Sequence, residues 1–272
     1  MTAILTAILV VAVVGILCAV MLVVASKVFF VPVDERLPLV RECLPGAGCG
    51  ACGYPGCDGY AEALVSGKTS DCTLCVPGGA SCAAAIAKVM GLEAGEVAKK
   101  VAYVQCAGDC SKTQTKHDYQ GVQTCQAAKQ LFGGNGACTF GCIGLGDCAQ
   151  VCPNNAIIFK RGIARINADM CMGCGLCAKA CPQQIIELLP DIAKVAVMCS
   201  NKDKGAVTRK NCLMGCTGCK RCEKNCKQGA ITVTDNLARI DYSKCTGCRE
   251  CLDICPSGCL REQDFTGIHR KT

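Results

Sequence analysis

Cysteine runs of one grammar, repeated along the second half of the chain, constrain this sequence more than any other feature. Cys171-x2-Cys174-x2-Cys177-x3-Cys181-Pro182 and Cys245-x2-Cys248-x2-Cys251-x3-Cys255-Pro256 share one spacing. Each follows a partner run, Cys138-x3-Cys142-x5-Cys148-x3-Cys152-Pro153 and Cys216-x2-Cys219-x2-Cys222-x3-Cys226. Three close thiols, with a fourth that reaches across to a neighbouring site, are the ligand pattern of paired [4Fe–4S] cubes. Cysteine makes up 30 of 272 residues, which on composition alone also suits a secreted disulfide scaffold. Such scaffolds use separated thiols, and these stand in tight triplets. Structural zinc takes four ligands from two pairs and gains nothing from a remote fourth cysteine followed by proline.

The spacing resembles that of the bacterial two-cluster ferredoxins, and the chain carries it twice. Each of the eight cysteines from Cys138 to Cys181 has a counterpart 74 positions on, and Ile163-Ala-Arg-Ile166 matches Leu237-Ala-Arg-Ile240. Self-similarity of this kind predicts the same fold twice, with the alternating apolar residues as short hairpin strands beside the cubes. Cys219 falls on Leu145, so the first module lacks a middle thiol, and Cys138 is its expected stand-in. The second module has both Cys212 and Cys219, one more than it needs; adjacent C-x2-C chelation favours Cys219, with Cys212 left as an alternative. Lys227 replaces the proline after Cys226, which alters a turn but removes no ligand. Cys259 stands where Ala156 does in the tail of its run, a packing position. Cys106, Cys110, Cys125 and Cys199 remain spare, either as buried thiols or as a further site.

Residues 3–26 carry no charge. As a helix they extend roughly 36 Å, enough to cross a bilayer core. The run is too long for the apolar part of a signal peptide and has no basic residue before it. Cys18 is read as a small apolar residue within it. Lys27, Arg36 and Arg41 follow the run, which predicts that the long C-terminal part faces the cytoplasm, where thiols stay reduced.

A different cysteine cluster comes next. Cys49-x2-Cys52-x4-Cys57 sits in a loop with glycine at 46, 48, 50, 53 and 56, which lets the backbone turn tightly around the sulfurs. The fourth ligand must lie beyond the following helix, at Cys75 or Cys72. The apolar start, CGACGYPGC, the later Cys75-Val-Pro-Gly-Gly and the downstream modules together resemble the RnfB-type component of the Rnf complex, a family that includes the Rsx reducing system. In that family the cysteine before PGG completes the cluster, which implies Cys75. The presence of two modules resembles the longer Rnf type.

That resemblance implies an electron-transfer subunit of an ion-translocating ferredoxin:NAD oxidoreductase. It would take electrons from soluble ferredoxin toward NAD, while other membrane and cytoplasmic Rnf-type subunits move Na+ or H+. The chain would sit in a bacterial or archaeal cell membrane by a single pass. The alternatives are an Rsx-like reducer of a redox-sensing regulator and a polyferredoxin serving a hydrogenase or other dehydrogenase.

The expected architecture is α+β. A transmembrane helix (1–28) precedes a glycine-rich single-cluster domain (29–95) and a connector (96–135). Two dicluster ferredoxin-like modules (136–190 and 191–265) and a tail (266–272) complete it. The ligand set is Cys49, Cys52, Cys57 and Cys75, then Cys138, Cys142, Cys148, Cys152, Cys171, Cys174, Cys177 and Cys181. Cys216, Cys219, Cys222, Cys226, Cys245, Cys248, Cys251 and Cys255 complete the set, for at least five and possibly six [4Fe–4S] clusters.

The formal charge of +7 falls to about −3 once five cubes at about −2 each are added, so it gives no reason to expect nucleic acid. GKTS at 67–70 is not a phosphate-binding loop, because Glu62 stands where that motif needs glycine. His117 and His269 stand singly in the sequence, with no paired C-x-H box for a Rieske centre. Nothing resembles an acid–base constellation or a nicotinamide or flavin site, so chemistry beyond electron transfer falls to partners.

Overall fold

The computed structural model describes residues 2–28, 34–93, 95, 99–131 and 133–263. The expected tail at 266–272 and His269 lie outside them. α1 (Thr2–Val28) covers the apolar run as a single helix. Among the described residues, however, no helix is long and apolar enough to cross a membrane, so the span remains an expectation of the sequence.

Three helices frame the glycine-rich loop: α2 (Arg36–Cys43), α3 (Gly56–Val65) and α4 (Gly79–Met90). Val40, Tyr60, Leu64 and Ile86 bury completely between them. Gly91, left-handed at φ 67°, ends α4, a conformation that only glycine adopts without strain. Tyr60 Oη donates to the Asp71 carbonyl at 2.7 Å, which ties α3 to the segment carrying Cys72 and Cys75.

The two modules are built alike. In the first, β1 (Lys100–Val104) precedes α5 (Cys125–Gln130), α6 (Asp147–Gln150), the strands β2 (Ile157–Lys160) and β3 (Ile163–Ile166), α7 (Leu176–Ala180) and β4 (Ile186–Pro190). In the second, β5 (Val195–Val197) precedes α8 (Gly205–Asn211), α9 (Arg221–Asn225), β6 (Ile231–Thr234), β7 (Leu237–Ile240), α10 (Glu250–Ile254) and β8 (Leu260–Glu262). The inner strands form hairpins in one register, Ile157 opposite Ile166 and Ile231 opposite Ile240. Their two-residue turns, Arg161-Gly162 and Asp235-Asn236, have positive φ at both positions, as the tight turn matching strand twist requires. Outer strands close each module. β1 pairs with β4 from Lys100 opposite Pro190 to Val104 opposite Ile186, and β5 pairs with β8. The stretch expected as a connector thus supplies the first module's edge strand.

Val101, Tyr103 and Leu189 of the first outer sheet pack against Ala196 and Met198 beside the second. Tyr242 joins this seam by donating to the Val195 carbonyl at 3.1 Å. The modules therefore share a core.

Candidate iron–sulfur centres

In the N-terminal domain the loop at 46–56 turns on five glycines with φ between +57° and +89°. That backbone brings Cys49 and Cys52 round to the start of α3, where Cys57 sits. Arg41 of α2 pairs with Asp58 and fixes this corner. Cys72 is buried and its thiol donates to the Ser70 carbonyl at 3.8 Å; burial, with Asp71 beside it, pushes its pKa up. Cys75 behaves oppositely. A hydrogen bond from the Cys82 thiol lowers it to about 6, and the Gly78 N–H adds to this. A Cβ at Gly78 would lie 2.6 Å from Cys82 Sγ and 3.2 Å from Cys75 Sγ, so only glycine fits against this pair of sulfurs.

Each module brings its distant cysteines together. Cys148 lies close to Cys142 and Cys181, and these three line one hollow. Cys177 lies close to Cys171, Cys174 and Cys152. In the second module Cys216, Cys219, Cys222 and Cys255 wall one hollow, and Cys226, Cys245, Cys248 and Cys251 wall another. In every case the last cysteine of a run stands with the triplet of the other run, the crossed arrangement that paired cubes require.

The structure places two residues apart from the expected grouping. Cys125, expected as spare, lines the hollow with Cys142, Cys148 and Cys181. Cys138, expected in that place, lines the adjoining hollow with Cys106, Cys199 and Cys212. The cause is local. Asp147 accepts the backbone N–H groups of Cys125 and Gln126, at 2.7 and 3.0 Å. This pins the first turn of α5 against α6, on the side where Leu145 supplies no thiol. Cys110 is exposed and stands in neither hollow.

Backbone N–H groups point at the sulfurs. Ala164 donates to Cys142 Sγ at 3.5 Å and Ala156 to Cys152 Sγ at 3.3 Å. Such donors stabilise a thiolate that binds metal and tune the site's potential. Without metal, burial holds these thiols protonated: Cys142, Cys177, Cys222 and Cys251 are pushed up to about 11 and Cys148 to about 12. Iron must displace those protons to bind.

Among the described residues no three or more Cys, His, Asp or Glu side chains converge so as to hold a metal ion. A cube makes a different demand, since each thiolate grips a separate iron and the sulfurs stand apart around it. Tetrahedral zinc at ~2.3 Å would draw its sulfurs to within about 3.8 Å of one another. The four-thiol hollows, their crossed ligands and their N–H donors fit cubes.

Two thiols outside the expected set touch that set. Cys259 Sγ lies 3.6 Å from Cys255 Sγ. Hydrogen bonds with Cys216 and Cys255 keep Cys259 protonated, while Cys216 drops to about 6 and Cys255 to about 4. Cys82 relates to Cys75 in the same manner. Neither was marked by spacing, because a donor to a ligand sulfur needs no motif.

Such a sequence of crossed, cysteine-walled sites defines a multi-cluster iron–sulfur protein of the ferredoxin class. Family models agree: residues 44–77 match a putative Fe–S cluster domain, and 137–185 and 215–259 each match a 4Fe–4S dicluster domain. The chain is 44% identical to the RnfB-type component of the Na(+)-translocating ferredoxin:NAD(+) oxidoreductase complex of Acetobacterium woodii, over 85% of this chain and 69% of that protein. It is 43% identical to the counterpart from the proton-translocating complex of Clostridium ljungdahlii, over 89% and 86% of the two chains. It is also 40% identical to the corresponding component of an ion-translocating oxidoreductase complex of Methanosarcina acetivorans, over 85% and 87%. The chain belongs to the RnfB family of Rnf complex components.

Proposed function

We propose that this chain is the membrane-anchored electron relay of an Rnf-type complex, receiving electrons from reduced soluble ferredoxin and passing them toward NAD. Bound [4Fe–4S] cubes supply one-electron chemistry, and the protein's residues set where those cubes sit and how they are insulated. Cys49, Cys52, Cys57 and Cys75 hold the N-terminal site. The crossed sets of the two modules hold four more. Cys75 is the fourth N-terminal ligand: its sulfur stands against Gly78, where no Cβ intervenes, while the Cys72 thiol donates to the Ser70 carbonyl.

The observation that carries the reading is continuity. Cys49 is close enough to Cys174 for its charge to act there, and a Cβ on Gly173 would lie 3.5 Å from a methyl of Val76, the residue after Cys75. The N-terminal site therefore abuts the first module, and the seam at Tyr103 and Met198 joins that module to the second. Short separations between sites are what a relay requires.

α1 supplies the anchor. Its side chains at Leu17, Met21 and Leu22 stand 61–74% exposed, and at 27 residues the helix is about 40 Å long. Lipid is the solvent that suits such a surface. Lys27 follows the apolar run, which faces the modules to the cytoplasm. Na+ or H+ movement falls to partner subunits, since the apolar run of α1 offers no carboxylate, imidazole or amine.

The test is iron and acid-labile sulfide content, with electron paramagnetic resonance, on anaerobically purified full-length chain. About 20 irons or more per chain, reducible by ferredoxin, supports the relay. An iron-free chain, or one whose cubes reduced ferredoxin leaves oxidised, refutes it.

A further inference from the structure

We propose that Cys106, Cys138, Cys199 and Cys212 hold a sixth [4Fe–4S] cube at the seam between the modules, and that Cys125 completes the first module's own cube. This rests on the reading above, that cysteine-walled hollows carry cubes, and extends it to a hollow that falls outside the crossed ferredoxin pattern.

The repeat makes the assignment consistent. At the 74-residue offset Cys125 corresponds to Cys199, and Cys138 to Cys212. The first module has Leu145 where a middle thiol belongs, and Cys125 comes into that hollow. The second module has Cys219 in that place, so Cys199 is released from its own module's cube. It turns instead into the shared hollow, where Cys212, Cys138 and Cys106 meet it. Cys106 comes from the turn after β1, so the site draws on both modules.

Three further observations mark a built site. Cys106, Cys199 and Cys212 are buried, at 7–8% exposure. Their sulfurs are supplied with donors: the Cys142 N–H to Cys106 Sγ at 3.5 Å, the Asn201 N–H to Cys199 Sγ at 3.4 Å and the Cys216 N–H to Cys199 Sγ at 3.3 Å. Asn201, itself 1% exposed, donates its side-chain amide to Cys138 Sγ at 3.4 Å. A buried amide aimed at a thiol makes sense where that thiol becomes a charged ligand. Glycine lines the wall: a Cβ on Gly108 would stand 2.8 Å from Cys212 Sγ and 4.0 Å from Cys106 Sγ.

Position gives the site its use. Cys142 lines both this hollow and the first module's, and the N–H of Cys216, a ligand of the second module, points at Cys199. A cube here adjoins a ligand of each module and so bridges their cubes. Loading transfers a preassembled cube from a thiolate-held donor: four donor Fe–S bonds are exchanged for four to these cysteines, and the cysteine protons pass to the released donor thiolates, with no change of oxidation state.

Iron per full-length chain decides the matter, each cube counting for four. The expectation is about 24 irons, falling to about 20 in Cys212→Ala and also in Cys138→Ala. Because both belong to one cube, the double variant stays at about 20, whereas Cys125→Ala with Cys212→Ala falls to about 16. Cys110→Ala keeps about 24. Failure of this proposal alone is distinct from failure of the relay reading. A wild-type count of about 20 that Cys106→Ala and Cys212→Ala leave unchanged, or zinc lost with Cys212, overturns the sixth cube and leaves five. Should the alanine variants fold poorly, Asn201→Leu serves. With the sixth cube present it keeps about 24 irons and shifts one midpoint potential downward, and an unaltered set of potentials counts against the site.

Discussion

Gly173 and Gly247 occupy the same place in the two modules, between the first and second cysteines of the triplets, and substituting each with alanine makes an internally controlled experiment. Both have positive φ, +68° and +70°, so alanine meets the same backbone strain of about 1 kcal/mol at either position. Their surroundings differ. A Cβ at 173 would lie 2.2 Å from the carbonyl oxygen of Lys100, which opens β1 and is held in register opposite Pro190. A Cβ at 247 would meet the aliphatic stem of Lys194, with Cδ at 2.8 Å, and that side chain can swing aside. Backbone fixed in a sheet yields only by distortion, which adds about 1–3 kcal/mol at position 173. Gly247→Ala should therefore cost about 1 kcal/mol, and Gly173→Ala about 2–4. If the clash exists only in the closed structure, the difference appears wholly as faster opening, between about five-fold and 150-fold. Bleaching of the visible iron–sulfur absorbance in guanidinium, followed anaerobically, measures that rate. Equal rates for the two variants would refute the reasoning, and so would faster loss in Gly247→Ala.

Two other outcomes follow from the geometry. Cys75→Ala should remove the N-terminal cube, about four irons, while Cys72→Ala should retain it; the reverse would make Cys72 the ligand. Burial raises the pKa values of Tyr60, Tyr103 and Tyr242 above the ordinary phenol value, so the stability these phenols lend is intact below about pH 10 and is lost as pH climbs beyond it. Tyr103→Phe and Tyr242→Phe should leave the native chain's phenolate difference spectrum unchanged at about pH 11, and each should reduce that of the denatured chain by one tyrosine; a native signal that falls with either variant contradicts this.

Much of the site was legible because thiol spacing is a local property. Cys171 to Cys181 and Cys245 to Cys255 announce their ligands within eleven residues, and the offset of 74 announces the duplication. The hairpin strands were marked by alternation, and both appear. What was hidden depends on contacts across the chain. Cys125 reaches its hollow only because Asp147 caps α5, and Cys106 reaches its own only because β1 pairs with a strand more than 80 residues away. Asn201, Cys82 and Cys259 act through hydrogen bonds to ligand sulfurs, which leave no periodic trace. The second module also departs from the first at its helix starts. Lys220 and Arg249 take the left-handed positions that Gly146 and Gly175 hold in the first, a substitution that no glycine-based signature would anticipate.

Closure of each module by its first and last strands has a consequence for how the chain is made. β1 cannot pair until β4 has left the ribosome, some 90 residues later, which at ordinary translation rates is about 5–18 seconds. Throughout that interval the thiols of the first half-module emerge as bare, unpaired nucleophiles. A growing chain therefore exposes those thiols to oxidants and to stray copper or zinc before the fold that buries them can close.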